Sequence, residues 1–396
     1  MTRLRWLVMG VFVFSSALNY LDRQILPALA PAILAEFRLT NEDYGLILGA
    51  FSITYAVSAP LTGLFIDRVG LNRGISLAVG LWSLAGVATA FARGFGGLLG
   101  FRAALGVAQA GGVPASGKAI AAYLKPEERA LGNAVSQIGL GAGAMLAPPL
   151  AIWCNTYYGW RTAFFVTGIA GLFWIPVWLW ASRLAPRKEF APVRNAGSRP
   201  SQMLRDRRLW AFVAANMLAM TVYSLWTNWV TVFLQREHGL ALVDTKWYAA
   251  IPPLFFNLGG LAGGWLSLRW MRRGMAAIPA RQRACLVSAL VLVLTALTPL
   301  MPSASLAIAA ICLSAFWSSA LSVNLYTMPL DVYGSGRAAF AVSMLTSAYG
   351  LMQAVFSPAA GKMIDAWGFA PVCAGVALLP LAGWAILRSA TRERTA

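Results

Sequence analysis

Residues 63–74 read GLFIDRVGLNRG, and residues 264–275 read GWLSLRWMRRGM. Each is a basic turn that opens on glycine after a long apolar run, and Gly63 and Gly264 stand 201 residues apart. A second echo is weaker but independent: Pro149 precedes Gly159 of YGW by ten residues, Pro358 precedes Gly368 of WGF by ten, and the offset is 209. Both offsets lie near half of the 396 residues, so the chain reads as two homologous halves in the same orientation, differing by a loop insertion.

The medium around these turns follows from composition. The chain is 59% hydrophobic and 12% charged, whereas a soluble domain is about 25% charged. One crossing of a bilayer takes about 20 apolar residues in a helix. Twelve such stretches fall at about 6–34, 43–66, 74–92, 96–124, 130–154, 161–181, 208–235, 245–268, 284–300, 304–329, 337–362 and 370–388. This predicts an all-α membrane protein with twelve transmembrane helices: a six-helix bundle over 1–181, a basic cytoplasmic linker over 182–207, rich in Pro and Arg, and a second six-helix bundle over 208–396. Parallel six-helix repeats are a known transporter plan, with the substrate site near the midplane between the halves.

Lys and Arg are retained on the cytoplasmic side of membrane spans. With the N-terminus inside, 23 of the 32 basic residues fall in cytoplasmic segments, among them Arg68, Arg73, Arg129 and Arg337. Outer segments hold Arg38, Arg93, Arg161, Arg236 and Lys246; Arg23, Arg102, Lys118 and Lys362 lie within spans. Both termini are therefore expected inside, in a bacterial-type cytoplasmic (inner) membrane. The net charge of +18 is a topological signature, spread over alternate loops, and not the single basic face of a nucleic-acid binder. The first apolar run is too long for a signal peptide and continues past Asp22 and Arg23, so it is read as an uncleaved helix.

Little else carries chemistry. The four cysteines stand singly at distant places, with no metal or redox spacing. His238 falls in an outer loop. GLGAGA at 139–144 lacks the spacing and preceding strand of a nucleotide loop, and reads as small residues for close helix packing. No nucleophile, base and orienting group occur together, so the sequence predicts neither an enzyme, nor a metal, nor a cofactor.

GLFIDRVGLNRG resembles the loop motif of the major facilitator superfamily at Gly63, Asp67, Arg68, Gly70 and Arg73, with Asn72 departing at one basic position. RAALGVAQAGG resembles that superfamily's fourth-helix pattern through Arg102 and Gly106. NYLDR, VPASGKAIAAYLKPEERA, GWRTAFFVTGIAGLFW and GGWLSLRWMRRG are similar to its anion:cation symporter branch, which includes hexuronate, galactonate and other organic-acid transporters. The likeness runs from about residue 19 to 369. It implies alternating access, a cytoplasmic gate built on the loop motif with Arg129 and Arg337, Arg102 as a structural residue, and a latch in which Asp67 approaches the helix start GSGRAAF that holds Arg337. It also implies proton coupling through two membrane carboxylates, one matching Asp22 and the other the position of Gln109. Glutamine carries no proton, so Asp22 is left to carry any coupling. The branch's acidic residue in the loop after helix eight is replaced by Leu268, which makes the latch one-sided.

Charges within a span cost several kcal/mol on insertion scales, about 2.5 to 3.5 each, so Asp22 and Arg23 point to use. Neighbours on a helix project about 100° apart: one can face a cavity while the other packs within its half. Arg23 is read as the cavity residue because its planar fork grips a carboxylate bidentately; a mutual ion pair is the alternative. Asn19, one turn earlier, shares the site, with Tyr20 as a weaker candidate. Arg102, Gly106 and Gln109 form one stripe on the fourth helix; Arg102 is read as bracing its half through backbone carbonyls, Gln109 as a hydrogen-bonding contact. Lys118 is either a second cation for the anion or a snorkelling residue. The second half offers Tyr223, Trp226, Asn228, Asn257, Trp317, Asn324, Tyr349 and Gln353, aromatic and neutral polar groups suited to a hydroxylated or ring-bearing anion. The expected function is proton-coupled import of a small organic anion, a sugar acid or other carboxylate, by a protein functional as a monomer, driven by a proton or substrate gradient, with no nucleic-acid partner. An exporter or exchanger of amphipathic compounds, and a ligand-binding membrane sensor, are the alternatives.

Overall fold

A computed structural model describes residues 2–125, 128–184, 203–333 and 335–391, with the backbone alone at 2, 3, 67, 130, 335–339 and 391. The middle of the predicted linker, 185–202, and the side chains of Asp67 and Arg337 lie outside the described residues.

The described chain is helical almost throughout. The helices are α1 (Thr2–Phe37), α2 (Asn41–Val69), α3 (Leu71–Thr89), α4 (Phe95–Gln109), α5 (Gly112–Tyr123), α6 (Arg129–Tyr158), α7 (Trp160–Leu184), α8 (Arg207–His238), α9 (Leu242–Met271), α10 (Ala277–Leu292), α11 (Ala304–Tyr333), α12 (Ser335–Trp367) and α13 (Phe369–Thr391). A 3₁₀ stretch, Val293–Leu300, prolongs α10. These account for the twelve spans, and ten of them are long and apolar enough to cross a membrane unaided. The other two have visible reasons. The fourth span, expected as one helix over 96–124, is split into α4 and α5 by a turn at Ala110–Gly111. Pro114 has no N–H to give the Ala110 carbonyl and its ring crowds that group, so the ladder breaks one turn before the proline. α9 is 30 residues long, but two prolines, Asn257 and several glycines dilute its apolar character.

Turn chemistry matches the repeat seen in the sequence. Gly159, between α6 and α7, has φ 86°, and Gly368, between α12 and α13, has φ 75°. Both lie in the left-handed region where a side chain is strained, and each donates its N–H back into the helix it ends, to Asn155 and Ile364. α2 begins with a capping box in which Thr40 and Asp43 bond each other's backbone N–H groups.

The chain forms two compact units, one over Met1–Pro192 and Leu240–Ala250, the other over Val193–Gly239 and Ile251–Ala396. The start of α9, assigned from sequence to the second bundle, thus groups with the first. The core of the first unit is aromatic: Trp174 and Trp178 stack at 5.5 Å, with Phe12 edge-on to Trp178 at 5.5 Å and Tyr123 at 6.1 Å. Trp174 donates its indole N–H to the Val11 carbonyl at 2.7 Å. In the second unit Phe233 packs edge-on to Trp226 at 5.3 Å and to Phe369 at 5.2 Å. Buried amides tie its helices: Asn216 donates to the Leu345 carbonyl at 2.9 Å, joining α8 to α12, and Asn324 to the Gly263 carbonyl at 3.0 Å, joining α9 to α11. With lipid outside instead of water, such hydrogen bonds and small-residue contacts bind helices together.

The GLGAGA run is one of those contacts. A Cβ on Gly143 would collide with the Ala17 backbone of α1, which cannot yield as a side chain can. Gly143→Ala is expected to destabilise the purified protein by about 2–3 kcal/mol, read as a lowered melting temperature in detergent. Gly100→Ala, where a Cβ meets nothing within 4 Å, leaves stability unchanged or raises it by up to about 1 kcal/mol. Equal melting of the two variants would show that the α1–α6 contact does not depend on the missing side chain.

Candidate substrate site

α1 carries Asn19, Tyr20, Asp22 and Arg23 into the interior of the first unit, because its apolar run continues on either side of them. Arg23 is partly exposed. Its Nε donates to Gln109 Oε1 at 3.3 Å, and its guanidinium carbon lies 4.9 Å from the Tyr20 ring centre, 4.8 Å from Phe51 and 4.9 Å from Tyr55. Phe51 and Tyr55 come from α2, one turn apart, and stack on each other at 5.8 Å. Three rings thus hold the guanidinium through cation–π contacts.

Gln109 uses both ends of its amide, accepting from Arg23 and donating to the Asn19 carbonyl at 3.1 Å. Arg102, fully buried, donates from Nη2 to the main-chain carbonyl of Arg23 at 3.0 Å. α4 reaches α2 closely because Gly106 has no side chain; a Cβ there would strike the Phe51 carbonyl. Asp22 points the other way. It is 3% exposed, neither carboxylate oxygen has a hydrogen bond of regular geometry, and the groups beside it are the Thr167 hydroxyl of α7 and the charge of Arg102. Adjacent in sequence, the two charges part as helix geometry requires.

Lys118, on α5, donates to the Ile66 carbonyl in the last turn of α2 at 2.9 Å, where a cation meets the negative end of the helix dipole. Around the loop motif, Gly70 separates α2 from α3, and Arg68 and Arg73 are exposed. A Cβ on Gly63 would meet only Pro114, at 3.8 Å. Asn72, the departure from the motif, donates to Ser182 Oγ of α7 at 2.7 Å. Arg129 opens α6 and is half-buried.

In the second unit Tyr223 of α8 meets Phe256 of α9 at 4.5 Å and Tyr349 of α12 at 6.1 Å; all three rings are partly exposed, as are Asn257 and Trp317. Gln353 is 9% exposed. Other polar candidates are turned inward. Asn324 is fully buried between α9 and α11, Asn228 donates to the Ser224 carbonyl of its own helix, and Trp226 packs on Phe233. The structure therefore brings together Asn19, Tyr20, Arg23 and Gln109 in one unit and Tyr223 with Tyr349 in the other. It gives Asn324 to packing, because a buried amide in an apolar layer satisfies itself on the nearest free carbonyl. Phe51, Tyr55, Thr167 and Phe256 were missed by sequence reasoning.

Comparison with known proteins places this geometry. The profile of the Major Facilitator Superfamily matches residues 12–344. The chain is 28% identical to the hexuronate transporter of Escherichia coli (strain K12), covering 98% of this chain and 94% of that protein. It is 28% identical to the galacturonate transporter of Dickeya chrysanthemi, covering 68% and 83%. Among solved structures, a bacterial homologue of the human lysosomal transporter Spinster, in an inward-facing and unoccupied conformation, superposes with a TM-score of 0.75 at 22% identity, over 98% of this chain and 95% of that one. That likeness shows the fold. With the loop motif, the repeated glycine turns, the membrane helices and a profile match over most of its length in agreement, the chain belongs to the Major Facilitator Superfamily and is a multi-pass membrane transporter, not an enzyme.

Proposed function

We propose that the protein moves a small organic anion, a hexuronate or a related sugar acid, across the cytoplasmic membrane, with its termini in the cytoplasm, and that Arg23 is the group that grips the carboxylate. The observation that carries the proposal is a partly exposed guanidinium whose plane is fixed by Tyr20, Phe51 and Tyr55 and whose Nε is fixed by Gln109. A preset arginine fork loses little freedom on meeting a planar carboxylate. Its likeness to a hexuronate transporter over 98% of the chain, and to a galacturonate transporter over 68%, supports the same substrate class. Proton-coupled import through Asp22 is the leading mode. Exchange of one anion for another is the second, favoured by Gln109, which has no proton to give.

Counterflow in liposomes tests the reading. Labelled galacturonate is expected to enter vesicles preloaded with unlabelled galacturonate, while the neutral hexose galactose does not compete. Binding without exchange would mean a sensor, and equal competition by galactose would remove the carboxylate from recognition.

Gln109 supplies a further expected result. Gln109→Glu places an anion within reach of the Arg23 Nε, where it competes with the substrate carboxylate, and it removes the amide donor to the Asn19 carbonyl. The dissociation constant for galacturonate rises at least about tenfold at neutral pH, measured by calorimetry. An unchanged affinity would mean that Gln109 does not set the charge seen by the substrate.

A further inference from the structure

At one end of the second unit, arginines lie over indole rings. Arg269 sits 5.4 Å from the Trp265 ring centre on α9, Arg283 of α10 sits 5.0 Å from Trp270 of α9, and Arg388 sits 5.2 Å from Trp384 on α13. Chain position and one hydrogen bond link the pairs: Arg269 and Trp270 are consecutive on α9. Trp384 donates its indole N–H to the Gln282 carbonyl at 3.0 Å, one residue before Arg283, and Arg283 in turn reaches back to α9. All three arginines are exposed.

Among the described residues no carboxylate pairs with these three arginines. No Asp or Glu occurs between Thr245 and Leu330, nor between Ala366 and Arg392. Asp331 is taken by Arg281. Below the arginines, toward the middle of α9, Leu254, Leu258, Leu261 and Trp265 follow one another at helical spacing, and all are exposed, Leu261 at 74%. An apolar stripe therefore runs straight into a cluster of oriented guanidinium groups.

We propose that this end of the second unit is a binding surface for an anionic phospholipid, with the phosphate of the headgroup held by Arg269, Arg283 and Arg388 and an acyl chain laid along the leucine stripe of α9. Each indole holds its guanidinium by a cation–π contact, and the fork of the guanidinium matches a phosphate. Trp is the side chain that settles at the level of lipid headgroups. A free phosphate would use the arginines but not the stripe, and a zwitterionic lipid brings its own cation to a surface already basic. In the orientation proposed above, this end is cytoplasmic.

The test is native mass spectrometry of the purified full-length protein, titrated with phosphatidylglycerol or phosphatidylcholine. The parent is expected to retain phosphatidylglycerol selectively. The triple variant R269Q/R283Q/R388Q is expected to bind it about a hundredfold more weakly, since each basic group near an anionic surface contributes about a fivefold share. The variant in which the same three residues become lysine keeps the attraction and falls between them. If the triple glutamine variant melts lower than the parent, the single variants R269Q and R388Q carry the comparison. Equal retention of the two lipids by the parent, undiminished phosphatidylglycerol binding in the glutamine variants, or displacement of the lipid by inorganic phosphate at equal concentration would each overturn the proposal.

Discussion

Arg23→Lys is expected to leave a folded, membrane-inserted protein that binds galacturonate about a hundredfold more weakly and shows almost no counterflow. Lysine keeps the charge but presents a point, not a fork, so one of two charge-assisted hydrogen bonds to a carboxylate is lost, and such bonds are worth about 1.5–3 kcal/mol each. The variant also loses the Nε bond to Gln109 and the flat faces that rest on Tyr20, Phe51 and Tyr55. The fold is spared for a stated reason: Arg102 bonds the main-chain carbonyl of Arg23, not its side chain, so the link between α4 and α1 survives. Melting temperature in detergent checks the fold, and calorimetry the affinity. Parent-like affinity in the lysine variant would remove Arg23 from substrate binding.

The sequence could be read as far as periodicity, charge and repetition reach. The turn at Gly63–Gly74 and its echo pointed to two halves, and the Gly159 and Gly368 echo corresponds to two matching left-handed turns. Intramembrane charges stood out because each is costly in lipid. The partners of those charges did not stand out. Phe51 and Tyr55 are aromatic residues in an apolar helix, and nothing in their spacing distinguishes a ring that holds an arginine from one that fills a core. Thr167 beside Asp22 is equally silent, because the contact depends on how α7 packs on α1. Asn324 shows the converse ambiguity: an amide in an apolar span serves ligand binding or helix packing with the same sequence signal, and here its side chain bonds Gly263. The break before α5 follows from Pro114, but its place, at Ala110–Gly111, depends on which carbonyl the proline leaves unpaired.

Asp22→Asn is expected to abolish accumulation of substrate against its gradient while leaving counterflow between equal solutions largely intact. Among the described residues Asp22 is the one acidic side chain buried in the protein interior, and Gln109, beside Arg23, has no proton to exchange. A carboxylic acid and the asparagine amide are close in size and both neutral, so the variant mimics a permanently protonated state. In the proposed coupling, proton binding at Asp22 and anion binding at Arg23 would favour each other, because each removes a charge that the other would otherwise face, and by linkage the help would be mutual. One proton per turnover converts a pH difference of one unit into about a tenfold concentration ratio of substrate. In the asparagine variant that ratio falls to about one, since no group remains to carry the proton with the anion. Uptake into liposomes under an imposed pH gradient measures it directly. A variant that still concentrates galacturonate as the parent does would show that the proton travels elsewhere, and a parent that fails to concentrate it would show that the protein exchanges anions without net proton movement.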